Sequence, residues 1–326
     1  MRTGRNSLSG LFLASLLGTS TSHIGVLAAA SPEKIIIDTD IGSDIDDAFA
    51  VALALQTPQV HILGISTVSG DTSARAKILD QMLGVSGHGD IPVAAGSPTP
   101  LQSSTGTTSS SAFWIGRQSR FGEKGAFAKA THPTAVAFIL EQIRRFPGEI
   151  TLVTIGPLTN VGALIDSDPQ TFRRLKRVVM MGGSMRSGYA LPGEPTNGPS
   201  AEYNIAADIP ASKKLFHSGV PIYVMPTDST WQLKLDEVKR DALLTQGTPI
   251  TNSLGLLYLM WGFETPILWD AMAVGYVVKP ELCPVEPMHI VIDDKGFTRA
   301  EPGQPNAQVC LHSDTESFFH FYLSRF

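Results

Sequence analysis

Short apolar runs rich in β-branched residues recur along this chain, at 34–37, 61–68, 91–94, 150–155, 177–181 and 220–225. Helix-length segments lie between them, at 46–56, 73–85, 134–146, 158–167 and 209–217. A run that is apolar on both faces suits a strand covered on both sides, and strand–helix–strand alternation covers a parallel sheet in that way. The pattern therefore predicts an α/β chain with a mainly parallel central sheet flanked by helices, and 326 residues admit one large domain or two ordinary ones. Residues 226–280 read as mostly helical, and 287–311 as further strands.

The first 30 residues do not belong to this alternation. Arg2 and Arg5 precede an apolar run over 8–17, and Ala28, Ala29 and Ala30 precede Ser31. Basic, then apolar, then small is the order of a cleaved secretory signal, so 1–30 are read as a signal peptide and 31–326 as the domain, secreted or periplasmic. No later apolar run approaches the ~18 residues of a membrane span. With 30 acidic and 25 basic residues and no Lys/Arg run, the chain has no electrostatic footprint for nucleic acid, and a small molecule is the expected partner. Cys283 and Cys310 can pair or stay as buried thiols, and the sequence leaves both open, as it leaves open a homo-oligomer. A Gly/Ser/Thr/Pro-rich stretch from 96 opens a loop read as running to about 131. It carries Phe113, Trp114 and Phe121 and is a candidate lid.

Chemistry concentrates just after the first strand, where Asp38, Asp40, Asp44, Asp46 and Asp47 fall within ten residues around Gly42. Helix capping accounts for one or two acids at such a place, but five repel one another unless a cation neutralises them. A hard divalent metal is implied. An EF-hand starting at Asp38 would need Gly and Glu where Ser43 and Phe49 stand. Phosphate-binding glycine loops, serine-hydrolase elbows and zinc-protease motifs are missing. A phosphatase of the haloacid-dehalogenase type, with Asp38 as nucleophile, remains an alternative that leaves Asp46 and Asp47 unexplained.

Other polar segments follow strands in the same manner: Leu158-Thr159-Asn160, Met181-Gly182-Gly183 and Glu202-Tyr203-Asn204, ahead of Asp208, with Trp269-Asp270 further on. In this order, and with the acidic opening, they resemble the inosine-uridine-preferring nucleoside hydrolase family over roughly 34–280. The resemblance implies one α/β domain that hydrolyses the N-glycosidic bond of a ribonucleoside with bound Ca²⁺. It implies a metal held by Asp40, Asp47, the Ile155 carbonyl and Asp270, with Asp40 also acting as general base. It further implies a substrate held by Asp46, Asn197, Glu202 and Asn204, with Met181 and Asp71 beside it.

Three departures from the family pattern stand out. Between Gly42 and Asp46 the opening is two residues longer than usual, so Asp44 and Asp46 compete for the ribose role. Asp71 stands where many members have Asn. Trp269 replaces a His that protonates the departing base, and so resembles purine-preferring members in which an aromatic ring stacks on that base, with Trp261, Trp114 or Phe113 as candidates for a second face. Loss of the His also admits an alternative in which the chain binds a nucleoside or sugar without turning it over.

Overall fold

The computed structural model describes residues 31–100, 116–189 and 198–326, together with 1 and 4. In chain order the first half runs β1 (Glu33–Thr39), α1 (Asp46–Leu55), β2 (Val60–Thr67), α2 (Thr72–Val85), β3 (Val93–Ala95), α3 (Ser119–Glu123), α4 (Ala135–Arg145), β4 (Ile150–Thr154), α5 (Thr159–Ser167), α6 (Pro169–Phe172) and β5 (Arg177–Met181). There follow α7 (Tyr203–Ala206), α8 (Ile209–Phe216), β6 (Ile222–Met225), α9 (Thr227–Thr230), α10 (Glu237–Leu244), α11 (Pro249–Trp261) and α12 (Ala271–Val278). The chain closes with β7 (Val285–Met288), β8 (Ile290–Ile292), β9 (Thr298–Ala300), β10 (Ala307–Cys310) and α13 (Thr315–Leu323). Five helices begin where the sequence offers a start signal: Asp71, Asp168, Asp208, Asp236 and Asp314 each accept a backbone N–H from the first turn of the helix that follows.

Among the described residues, eight strands form one sheet in the order β3-β2-β1-β4-β5-β6-β10-β7, and β8 and β9 form a separate hairpin. Every neighbouring pair in the large sheet is parallel except β10 with β7. The isoleucines of β1 show why: Ile35 and Ile37 pack into one apolar layer with α1, α11 and α12, while Ile36 packs into the opposite layer with α4, α5 and α8. Alternating side chains of a strand point to opposite faces, so a strand apolar at every position requires cover on both. The rims are short. β3 has three residues and is continued by a bridge between Ala95 and Thr134, and β7 carries Pro287 opposite Gln308.

Strand order reverses between β1 and β4, and ligands of open parallel sheets sit outside the carboxyl ends of the strands at that reversal. The acidic turn leaves β1 at this place. Of the segment read as a candidate lid, Phe113 and Trp114 lie outside the described residues. Its later part is no flap: α3 packs along α2, and Phe121 is buried in the same apolar layer as α1 and α2. Burial of that ring contributes about 1.5–3 kcal/mol to holding the helix, and nothing local in a polar loop reveals it. Cys283 and Cys310 form a disulfide, which ties the segment after α12 to the end of β10.

Candidate active site

The turn after β1 is shaped from below. Gly42 has φ of +104°, a conformation that side chains disfavour, and this lets the chain reverse before α1. Arg75, on α2 and with no exposed surface, reaches under the turn. Its Nη1 donates to the carbonyls of Asp40 and Ile41 (2.8 Å for the latter), its Nη2 to Ser43 Oγ at 2.8 Å, and its Nε to the Ser69 carbonyl at 2.7 Å. Gln118 Nε2 adds a bond to the Ser43 carbonyl at 3.0 Å. Across the strand reversal, a Cβ on Gly156 would lie 2.9 Å from both the Asp40 nitrogen and its Oδ1, so only glycine lets β4 end this close to Asp40.

This scaffold brings the acids together. Carboxylate oxygens of Asp46, Asp47 and Asp270 all lie within 4.8 Å of one another, and all three residues are buried. Asp46 and Asp47 open α1, and Asp270 comes from the segment before α12, more than two hundred residues away, with its N–H 3.4 Å from Asp46 Oδ2. Thr39 Oγ1 donates to Asp47 Oδ1 and fixes that side chain. Burial, followed by the charges of neighbouring carboxylates, holds Asp46, Asp47 and Asp270 well above the usual carboxylate range. Asp40 is pushed up to about 6, chiefly by burial, against the opposing charge of Arg75.

These numbers test whether a cation fits. Two unit charges 4.8 Å apart repel by about 3.5 kcal/mol at an effective dielectric of 20, so three ionised pairs amount to about 10 kcal/mol, the size of a whole domain's stability. No Lys or Arg is among the described residues that line the cavity, and Arg75 spends its donors on backbone carbonyls and a hydroxyl. A set of clustered carboxylates with only oxygen donors suits a hard divalent ion. The acidic triad is a group able to hold a metal, and it includes Asp46 where the sequence reading placed Asp40. Asp40 stands beside the triad and its charge acts on all three members.

The acids floor a cavity of about 500 Å³. Asp40, Asp46, Asp47, Ile155, Met181, Glu202, Asn204, Trp269 and Asp270, singled out from the sequence, all line it. Asp44 also lines it but is solvent-exposed at the turn, whereas Asp46 is 4% exposed. Asp71 is absent from the lining. It is exposed, and its carboxylate accepts the Ala74 N–H at 2.9 Å as the cap of α2, which accounts for an acid at that position without any ligand. Asn197 lies outside the described residues.

One wall is polar. Glu202 caps α7 and accepts from the N–H groups of Asn204 (2.9 Å), Ile205 (3.2 Å) and Gly183 (2.8 Å), and from the Tyr189 hydroxyl (3.1 Å). Its pKa is raised by burial, and these bonds oppose the rise. Asn204 Nδ2 donates to the Met181 carbonyl at 3.1 Å, tying α7 to the end of β5. The other wall is aromatic. Trp269 packs at 43° on Trp231, with centroids 5.5 Å apart, and meets Tyr189 edge-on at 83° and 5.9 Å. Trp261 and Phe263 stand 5.0 Å apart and complete the lining.

Several of these contributors carry no local signal in the sequence. Arg75 reads as one more helical cation, and Tyr189, Phe263 and Trp231 as ordinary apolar fill, until long-range packing places them. The nucleophilic role considered for Asp38 is excluded by its surroundings. That carboxyl is 1% exposed, does not line the cavity, and accepts from Ser66 Oγ at 2.5 Å and Asn160 Nδ2 at 2.8 Å.

Comparison with known proteins agrees with this arrangement. The family model for inosine-uridine preferring nucleoside hydrolases matches residues 35–320. Uridine nucleosidase 1 of Arabidopsis thaliana is 32% identical over 266 residues, which cover 77% of this chain and 75% of that protein. A plant nucleoside hydrolase superposes with a TM-score of 0.76 at 23% identity, and the purine-preferring ribonucleoside hydrolase from Gardnerella vaginalis with 0.74 at 22%. Each covers 90% of this chain and 98% of its own, and at these identities the likeness is one of fold. The acidic turn at the strand reversal, the buried carboxylate triad and the match over nearly the whole α/β domain place this chain in the inosine-uridine preferring nucleoside hydrolase family, enzymes that hydrolyse N-glycosyl bonds.

Proposed function

We propose that the chain is a Ca²⁺-dependent hydrolase of ribonucleosides that favours purine bases and releases free base and ribose. The observation that carries the reading is one cavity with buried carboxylates on its floor and packed aromatic rings on its wall. Asp46, Asp47 and Asp270 would hold the ion, with Asp40 and Ile155 beside them. A calcium ion held there would neutralise the acids and supply Lewis acidity toward the attacking water.

Asp40, which lines the cavity beside the triad, would take the proton from the attacking water at its carboxylate. Glu202 and Asn204 orient the ribose and oppose the positive charge that develops at the anomeric carbon. Trp269, braced from behind by Trp231, offers its face to the base. A purine gaining positive charge there is stabilised by ~0.5 to 2 kcal/mol. The breadth of the aromatic wall, with Trp261 and Phe263 as well, supports a two-ring base over a one-ring one.

Export belongs to the same proposal. The basic-apolar-small order of residues 1–30 supports a removed signal, and a disulfide between Cys283 and Cys310 is the chemistry of an oxidising compartment. Mass analysis of protein recovered outside the cytoplasm should give a chain that starts near Ser31.

The deciding experiment is a panel of inosine, guanosine, adenosine, uridine and cytidine, assayed for reducing sugar with chelator and with added Ca²⁺. Purines turned over faster than pyrimidines, only with the metal present, is the expected result. No sugar from any of the five refutes the hydrolase, and equal rates on uridine and inosine refute the preference.

A further inference from the structure

Glu202 presents an oddity for a residue meant to hold a sugar. An ionised carboxylate has about four acceptor positions, two on each oxygen. Here all four are filled: Oε1 by the Asn204 N–H and the Tyr189 hydroxyl, Oε2 by the Gly183 and Ile205 N–H groups. Three of the donors are backbone, fixed by the end of β5 and the first turn of α7. Only the phenol is a side chain, and therefore only the phenol can give way.

The phenol oxygen is held from two sides. It donates to Glu202 Oε1 at 3.1 Å and accepts the Tyr203 N–H at 3.0 Å. A position between a carboxylate acceptor and an N–H donor is what a hydroxyl group requires, since a hydroxyl both gives and takes one bond. Tyr189 is 44% exposed as a residue, though burial pushes its phenol pKa up, and its ring meets Trp269 at 83° in a T-shaped contact, so no parallel stacking holds it in place. The loop that carries it is anchored just upstream, where the Asp228 carboxylate accepts the N–H groups of Met185, Arg186 and Ser187 at 2.7–3.0 Å. Tyr189 can thus swing while its anchor stays fixed.

We propose that the Tyr189 hydroxyl occupies a sugar-hydroxyl position in the free protein, and that one ribose hydroxyl displaces it from Glu202 on binding. This rests on the reading of Glu202 as a ribose contact. Substrate affinity is then lowered by the strength of one hydrogen bond to a charged acceptor, and nucleosides that lack the displacing hydroxyl leave the phenol in place. The residue acts as a specificity element that admits ligands able to replace its bond.

Tyr189→Phe keeps the ring and removes the bond. The expected result is a fall in KM for inosine of about tenfold or more, the value of one hydrogen bond to a charged group, so that kcat/KM rises. A variant that merely disturbed the wall would lower kcat/KM. The same comparison on 2′-, 3′- and 5′-deoxyinosine identifies the hydroxyl: the gain should vanish for one of the three and persist for the others. An unchanged or raised KM overturns the proposal, and so does a gain that persists equally on all three. Calorimetric titration of both proteins with ribose in the presence of Ca²⁺ gives a readout that needs no turnover, with tighter binding expected for the variant and equal or weaker binding contrary to it. Were the wild type to hydrolyse no nucleoside, the functional reading would fall while this binding comparison still decided the role of Tyr189.

Discussion

Arg75→Met offers the sharpest test of how the acidic turn is held. The guanidinium has no exposed surface and gives hydrogen bonds to the carbonyls of Asp40, Ile41 and Ser69 and to the Ser43 hydroxyl. Methionine fills similar volume but gives none, which leaves buried carbonyls without their donor at about 1–3 kcal/mol each. Because such losses overlap, the expected destabilisation is about 3–5 kcal/mol, the range for removing one partner of a buried charged network. The second effect is electrostatic: Arg75 lowers the pKa of Asp40 and Asp47, so without it both hold protons more tightly. Urea unfolding in chelator measures the first effect, and the stabilisation gained on adding Ca²⁺ measures the second. A ligand at one hundred times its Kd adds about 2.7 kcal/mol to a protein that binds it only when folded, and the variant should gain clearly less at the same concentration. Arg75→Lys keeps the charge without the planar fork and should recover only part of the loss. A destabilisation below about 1 kcal/mol with an undiminished Ca²⁺ gain would refute the account of Arg75 as the support of the turn.

Further expectations concern other parts of the molecule. Trp269→Ala should slow inosine turnover far more than that of a nitrophenyl riboside, whose leaving group needs no proton, and equal losses on both count against activation of the base by the indole. Asp270→Asn removes one member of the triad and should raise the Ca²⁺ concentration needed for half-maximal stabilisation at least tenfold, as read by thermal melting; an unshifted titration places the ion elsewhere. Asp38 is raised to about 7, mainly by burial, while an unfolded Asp titrates near ~3.9. Its contribution to stability is therefore full below that lower value, declines as pH rises, and is gone above about 7. Asp38→Asn, nearly the same shape, should flatten the fall in stability between pH 5 and 7, and an unchanged slope would show that Asp38 does not titrate there. Cys283→Ser opens a bridge spanning 27 residues, for which chain entropy gives about 3–4 kcal/mol of lost stability, measurable by urea unfolding, and a loss under 1 kcal/mol contradicts that estimate.

The sheet was legible because its strands are apolar on both faces. β5 occupies the same residues, 177–181, that its apolar run marks, and α1 and α2 start within one residue of their expected positions. The acid cluster was legible because self-repulsion makes five neighbouring carboxylates implausible without a cation. What local sequence does not contain is where distant segments meet. Asp46 and Asp270 join across the chain, Arg75 turns inward from a helix that gives no sign of it, and Tyr189 gains meaning only from Glu202. Asp71 shows the converse, since an acid after a strand serves equally well as a helix cap.

The sheet's outer margins bear on how this protein behaves among its own copies. A long bare strand at a margin is a template onto which another chain can add. Here one margin is a three-residue strand already extended by the Ala95–Thr134 bridge, and the other is four residues with a proline that has no N–H to give. Neither margin of the large sheet offers a long bare edge, so concentrated protein should resist fibril growth through that sheet while it stays folded.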